Sequence, residues 1–261
     1  MNDGITVIIP TYRNPKYLSL CLRSAIKGKK LKTTEIIVVV DGFYSESQEV
    51  LELYKEHINV FDLGSNRGMG YAINIGAYNA NNSSLLICND DNVFAKNWDE
   101  NISNLDLSFK VWTLEQIETS AGMFNFTVAN FGKTPEEFQY DEFIKFCEEN
   151  QSNMDTLKGE IFPYLISRKN FMACGGFDLL FSGPCHVDWD HFLKLELMGL
   201  QFRRTYKTML YHFGSVVTKQ SIDSNMFSEK FKQTYNEFIY KWKFPPYNGT
   251  NNTKIPPNII I

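Results

Sequence analysis

Apolar and polar positions alternate along this chain in short blocks. Ile5 to Ile9 is an unbroken apolar run closed by Pro10, which reads as a buried strand. Asn14 and Pro15 then supply a helix cap and a first-turn proline, and Leu18, Cys21, Leu22, Ala25 and Ile26 follow at helical spacing as far as Gly28. Glu35 to Val40 is rich in β-branched residues and stops at Asp41-Gly42, a second strand. Ser45 and Gln48 have the spacing of a capping box, predicting a helix to about His57. Ile58 to Leu63 is a third strand, Gly70 to Ala80 a helix despite its glycines, and Ser84 to Cys88 a fourth strand.

Strands that alternate with helices predict an α/β fold, a mostly parallel central sheet flanked by helices. Such sheets bind ligands beyond the carboxyl ends of their strands. Asp41 and the run Asn89-Asp90-Asp91-Asn92 stand at two such ends.

The pattern is weakest over 98–160. Thr134 to Glu137 resembles a helix start, Phe143 to Glu149 is helical, and the surroundings leave room for one or two strands. This stretch is read as a variable insertion shaping the acceptor side. Beyond it come a strand from Phe162 to Ser167, a short helix from Arg168 to Cys174, and a turn at Gly175-Gly176-Phe177-Asp178. A helix from His186 to Met198 ends at Gly199, and strands are expected at Gln201–Arg204 and Thr208–Tyr211. Phe227, Phe231, Tyr235, Phe238 and Trp242 mark one face of a last helix, followed by a Pro- and Asn-rich extended tail. The expected organisation is one domain over 1–215, with a C-terminal helix and tail over 216–261.

Composition narrows the function by exclusion. A formal net charge of −4 argues against a general nucleic-acid binder. Five cysteines without a C-x-x-C pair fit a reducing compartment and offer no zinc site. Neither a signal peptide nor an apolar run of about 18 residues is visible, so a cytoplasmic protein is expected, at most peripheral to a membrane. The aromatic stripe of the last helix, flanked by lysines, suits packing on its own domain better than a lipid surface.

Carboxylates carry the candidate chemistry. Hard divalent cations prefer carboxylate oxygens, so an Asp pair after a buried strand suits Mg²⁺ or Mn²⁺ and, through the cation, a diphosphate. Read alone, Asp90-Asp91 is better explained as an acidic turn, and Asp188 and Asp190 as an acidic helix start.

The blocks Thr6 to Tyr12 (TVIIPTY), Glu35 to Gly42 (EIIVVVDG), Asn66 to Gly76 (NRGMGYAINIG) and Leu85 to Asp91 together resemble the inverting glycosyltransferases of the GT-A fold. That is the family-two group that includes rhamnosyltransferases. The likeness is firm over about 5–95, returns over 161–214, and is absent from the middle and the tail. It implies transfer of a sugar from a nucleotide diphosphate to a saccharide or other hydroxyl acceptor, as in polysaccharide biosynthesis, with Mn²⁺ or Mg²⁺ as cofactor.

The resemblance also assigns roles. Asp41 would accept the N3–H of the base, favouring uridine diphosphate, with deoxythymidine diphosphate second. Pro10, Thr11 and Tyr12 would line base and ribose, and Arg67 would reach the pyrophosphate. The family's Asp-x-Asp reads here as Asn89-Asp90-Asp91, which makes Asp91 the metal ligand and Asp90 a ribose or neighbouring contact. Reading the motif one place later exchanges those jobs. Asp188 would be the catalytic base, Asp190 and Gly176 would support the segment or the acceptor, and His212 would be a further metal ligand. Val187 stands where the family usually has Glu. Two other readings remain: a catalytically silent nucleotide- or sugar-binding module, and a sugar nucleotidyltransferase, whose Gly-rich first loop is missing at Pro10 to Asn14. Sugar, acceptor, linkage and oligomeric state are not legible.

Overall fold

The computed structural model describes residues 4–120, 126–157, 161–181, 185–214 and 224–246, with side chains from residue 228 onward in the last segment. Strands β1 (Ile5–Thr11), β2 (Glu35–Val40), β3 (Asn59–Asp62) and β4 (Ser84–Ile87) pair in parallel in the order β3-β2-β1-β4. Helices α1 (Pro15–Gly28), α2 (Tyr44–Tyr54) and α3 (Met69–Asn79) connect them. The two-residue period of a strand divides the apolar runs between two cores. Ile8, Ile37 and Val39 face α3, while Val7, Ile9, Ile36 and Val38 face α1, and all are buried. Burial on both faces is why these strands read as continuous apolar runs.

The second half completes the same sheet with mixed polarity. Strand β9 (Tyr164–Ser167) lies antiparallel between β4 and β6 (Lys110–Glu118), and β10 (Gln201–His212) runs parallel to β6. Strand β5 (Asn92–Phe94) closes the edge antiparallel to β10. Short β7 (Thr127–Val128) and β8 (Asp155–Thr156) attach to β6 and β10. The remaining helices are α4 (Trp98–Ile102), α5 (Tyr140–Asn150), α6 (Arg168–Ala173), α7 (Val187–Leu197) and α8 (Ser224–Trp242).

Several expectations change. The stretch read as an insertion supplies β6, a buried strand in the middle of the sheet, so part of it is framework. Its hydrophobic run is broken by Thr113, Glu115 and Gln116, all buried and polar, and that hid the strand. Thr134 begins no helix; a turn closes from Thr134 O to Glu137 N and α5 starts at Tyr140. Ser45 is not a cap, because α2 begins at Tyr44 behind Phe43 in the left-handed region, φ 56°, and ends before His57. The two strands expected at 201–211 are one, with a register shift between Thr205 and Met209. Asn14 precedes α1 but makes no side-chain cap.

Helix α8 shares the main core through Phe238 and through Phe244 just beyond it, with Trp242 packed against them. Phe227's side chain and the tail from 247 lie outside the described residues. No described helix is long and apolar enough to cross a membrane.

Gly76 is where α3 crosses β1, and a Cβ there would stand 2.5 Å from Ile8 Cγ2. Gly76→Val should therefore lower unfolding free energy by about 1–3 kcal/mol through overpacking, read as a reduced urea midpoint at unchanged slope.

Candidate functional site at the strand ends

The parallel half aims the ends of β1, β2 and β4 at one edge. The amide of Asp41 donates to Thr11 O at 2.9 Å, tying the ends of β2 and β1 together. Asp41 is 4% exposed, and its carboxylate accepts the backbone N–H groups of Arg67 (2.5 Å) and Gly68 (2.9 Å), just ahead of α3. Burial pushes its pKa up and those two N–H groups pull it back, leaving it raised. Gly68 has φ 92°, a backbone state glycine adopts freely.

Arg67 thus has its backbone fixed by Asp41, while its side chain is exposed. Pro10 and Tyr12 are half-buried beside this opening. The Tyr12 ring lies edge-on to Phe43 at 5.8 Å, and the Arg13 guanidinium stands over the same Phe43 at 4.6 Å while pairing with Glu46.

The Thr11 hydroxyl is engaged by Asp90: it donates to Asp90 Oδ2 at 2.7 Å, and Asn14 Nδ2 donates to Oδ1 at 2.9 Å. The side chain expected to cap α1 is therefore spent on Asp90. Sequence alone could find Asn14 only as a cap, since its partner lies 76 positions away. Burial, then the neighbouring charge of Asp91, raise Asp90 to about 7.

Asp91 is 4% exposed, and its Oδ1 faces His212 Nε2 at 3.4 Å, longer than a good charge-assisted hydrogen bond. His212, at the end of β10, is held from behind by Glu118 of β6, whose Oε1 is 2.7 Å from Nδ1. Burial works against a charged imidazole here, but the Asp91 and Glu118 carboxylates outweigh it and raise His212 to about 10. A carboxylate behind a histidine that points its other nitrogen into a site is the usual support of a metal-ligating histidine. Glu118 was missed because it sits in the stretch whose pattern was unreadable.

Among the described residues no group of three or more His, Cys, Asp and Glu side chains could hold a metal by itself. Asp91 and His212 offer one oxygen and one nitrogen donor on the same side. That set fits a hard cation whose remaining positions are filled by phosphate oxygens and water, not a cage made by protein alone.

Asp188 is half-buried in the first turn of α7, where burial pushes its carboxyl up to about 6 although the Trp189 N–H donates to it at 2.9 Å. A Cβ on Gly70 of α3 would stand 3.1 Å from Val187 Cγ2, so the starts of α3 and α7 meet. Asp188 therefore stands at the same edge of the sheet as Asp41 and Asp91, on the side formed by α7.

Asp190 points the other way: it is fully buried and takes Trp242 Nε1 at 2.8 Å. Gly176 has φ 64°, and its carbonyl accepts Lys194 Nζ; next to it, Asn74 of α3 exchanges two 2.8 Å hydrogen bonds with the backbone of Phe177. His191 stacks on Phe177 at 4.2 Å, and both it and His186 are buried.

Residues 6–105 match the profile of glycosyl transferase family 2. Two glycosyltransferases of Streptococcus pneumoniae serotype 4 (strain ATCC BAA-334 / TIGR4) are similar. GlyA is 29% identical over 152 residues, 56% of this chain and 21% of GlyA. GlyG is 24% identical over 151 residues, 55% of this chain and 50% of GlyG. The chain thus spans from about a fifth to half of these relatives. In fold it is similar to S. aureus TarS 1-349 in complex with UDP, with TM-score 0.57, 15% identity, and coverage of 91% of this chain and 72% of that one. It is also similar to GalNAc-T7 with UDP, GalNAc and Mn²⁺, with TM-score 0.58, 17% identity, and coverage of 80% and 43%.

The buried Asp90 carboxyl makes stability depend on pH. It is raised from 3.8 to about 7. Between those values the unfolded chain gives up its proton first, so folding weakens as pH rises and the full penalty stands above about 7. Asp90→Asn removes the charge, and the Thr11 hydroxyl can reverse its role and accept from the new amide. In EDTA at pH 8 the variant should be more stable than wild type by roughly 1–3 kcal/mol, a gap closing toward pH 4, read by thermal melts across pH.

Proposed function

We propose that this chain, which carries a glycosyl transferase family 2 domain on a GT-A fold, moves a sugar from a nucleoside diphosphate to a hydroxyl acceptor with inversion at the anomeric carbon. The observation that carries the reading is the 3.4 Å approach of Asp91 and His212 at the ends of β4 and β10, at the sheet edge where Asp188 also lies. The UDP bound in the TarS and GalNAc-T7 structures, and the Mn²⁺ of the latter, support the donor and cofactor classes.

Asp41 retains acceptor capacity after taking two N–H groups, because an ionised carboxylate has about four lone-pair sites. It can receive the N3–H of uracil, and thymine offers the same donor. Tyr12 and Pro10 wall the base and ribose, Arg67 meets the diphosphate, and Asp90, braced by Thr11 and Asn14, lies beside the ribose. Asp91 and His212 would hold Mn²⁺ or Mg²⁺, which when bound stabilises negative charge on the departing diphosphate.

Asp188 removes the proton from the acceptor hydroxyl as that oxygen bonds to the anomeric carbon and the sugar–phosphate bond breaks on the opposite face. The proton ends on the Asp188 carboxylate and the electron pair on the diphosphate. One such displacement inverts the configuration. The acceptor is a saccharide or another hydroxyl compound, approached from the side of α7 and the loops of 98–160.

A screen of UDP- and dTDP-sugars for Mn²⁺-stimulated release of nucleoside diphosphate tests the reading. Asp188→Asn should lower transfer about 10²- to 10⁴-fold while UDP affinity is kept. Asp91→Ala should remove the Mn²⁺ stimulation. UDP and Mn²⁺ binding without turnover over a broad acceptor panel would instead indicate a silent binding module. Because Asp188 must be ionised to act, and its carboxyl is raised to about 6, kcat/KM should rise with pH through about 6. A profile flat from pH 5 to 8 would exclude Asp188 as the base.

A further inference from the structure

Asp188 lies between two residues that one distant helix holds. Two positions before it, His186 is buried ahead of α7 in the left-handed region, φ 63°. Such a backbone state in a non-glycine residue persists only when its surroundings enforce it. Those surroundings belong to α8: His186 Nδ1 lies 2.9 Å from Thr234 Oγ1, and its ring stands edge-on to Phe231 with centroids 4.6 Å apart.

Two positions after Asp188, fully buried Asp190 accepts Trp242 Nε1 at 2.8 Å and Lys241 Nζ at 2.6 Å. Lys241 also reaches Asp178, at 2.7 Å, in the turn that follows α6. The base is thus flanked on both sides by groups fastened to residues 234–242.

The chemistry of the first fastening is directional. The Thr234 hydroxyl donates to Lys230 O at 3.0 Å within its own helix, leaving its oxygen to accept from His186 Nδ1–H. Burial lowers His186 to about 4, so the ring is neutral and this contact selects the tautomer.

We propose that α8 is a positioning element of the reaction, and that Thr234 and Trp242 are positioning residues that hold the Asp188 carboxylate in line with the acceptor hydroxyl. The inference rests on the reading of Asp188 as the base. Neither residue touches substrate. Each acts through a neighbour of Asp188, and a misplacement of about 1 Å in a reacting group is enough to slow catalysis by about 10²-fold.

The test uses the full chain with the donor and acceptor that wild type turns over. Thr234→Val keeps the shape and deletes the hydroxyl, Thr234→Ser restores it, and Trp242→Phe keeps an aromatic ring without its N–H. The expected result is a kcat lowered about tenfold or more in Thr234→Val and Trp242→Phe. Donor KM and UDP affinity should stay within about twofold of wild type, and Thr234→Ser should recover. The ¹⁵N spectrum of His186 should show the Nδ1–H tautomer in wild type and its loss in Thr234→Val.

Wild-type kcat in both variants overturns the proposal. So does a fall of kcat, UDP affinity and melting temperature together, which is the mark of a purely structural helix. Asp188→Asn separates the two levels: if it abolishes transfer while Thr234→Val and Trp242→Phe keep kcat, the positioning role alone fails. If it leaves transfer intact, the base assignment fails and this inference with it.

Discussion

Two adjacent carboxylates, Asp90 and Asp91, are buried where β4 ends, and the rest of the site is arranged around the cost of keeping them there. Burying an isolated charge is expensive enough that a protein must supply hydrogen bonds, a counter-charge or a proton. Asp90 is given hydrogen bonds from Thr11 and Asn14 and is still raised to about 7. Asp91 faces His212, and Glu118 fixes that ring from behind. A divalent cation bound with a diphosphate would satisfy the same electrostatic demand more completely.

The sheet makes that cluster possible by drawing on widely separated segments. Parallel pairing of β1, β2 and β4 brings Thr11, Asp41 and Asp90 to one edge, and the parallel β6/β10 pair delivers Glu118 and His212 to the same place. Helices α3 and α7 start where these strands stop, so Asp41 braces the entry to α3 and Asp188 stands on the first turn of α7. Gly70 and Gly76 let α3 approach Val187 and Ile8 closely, and Asn74 locks α3 to the turn before α7.

Asp190 shows how a sequence pattern can mix two kinds of residue. It is two places from Asp188 and of the same type, yet its carboxylate is turned into the protein, where Lys241 and Trp242 hold it. Helical geometry separates positions two apart by about 200°, so one carboxylate can face the cleft while the other faces the core. Removing a charged partner from so deep a site costs far more than removing one at the surface, which ties α7 and α8 into one unit.

The sequence by itself determined the parallel half of the fold, because both faces of β1, β2 and β4 are covered and such strands must be continuously apolar. It also placed Asp41, Asp90 and Asp91 at strand ends, since a buried strand stops at the first residues that cannot be buried cheaply. The family resemblance located Asp188 and His212 by block, as expectations. Only the tertiary structure decided that Asn14 braces Asp90 instead of capping α1, that Glu118 stands behind His212, and that α8 holds both neighbours of Asp188. The physical reason is the same in all three. Local periodicity reports which side of an element is apolar, whereas the partner of a buried polar side chain is chosen by contacts that join residues far apart in the chain.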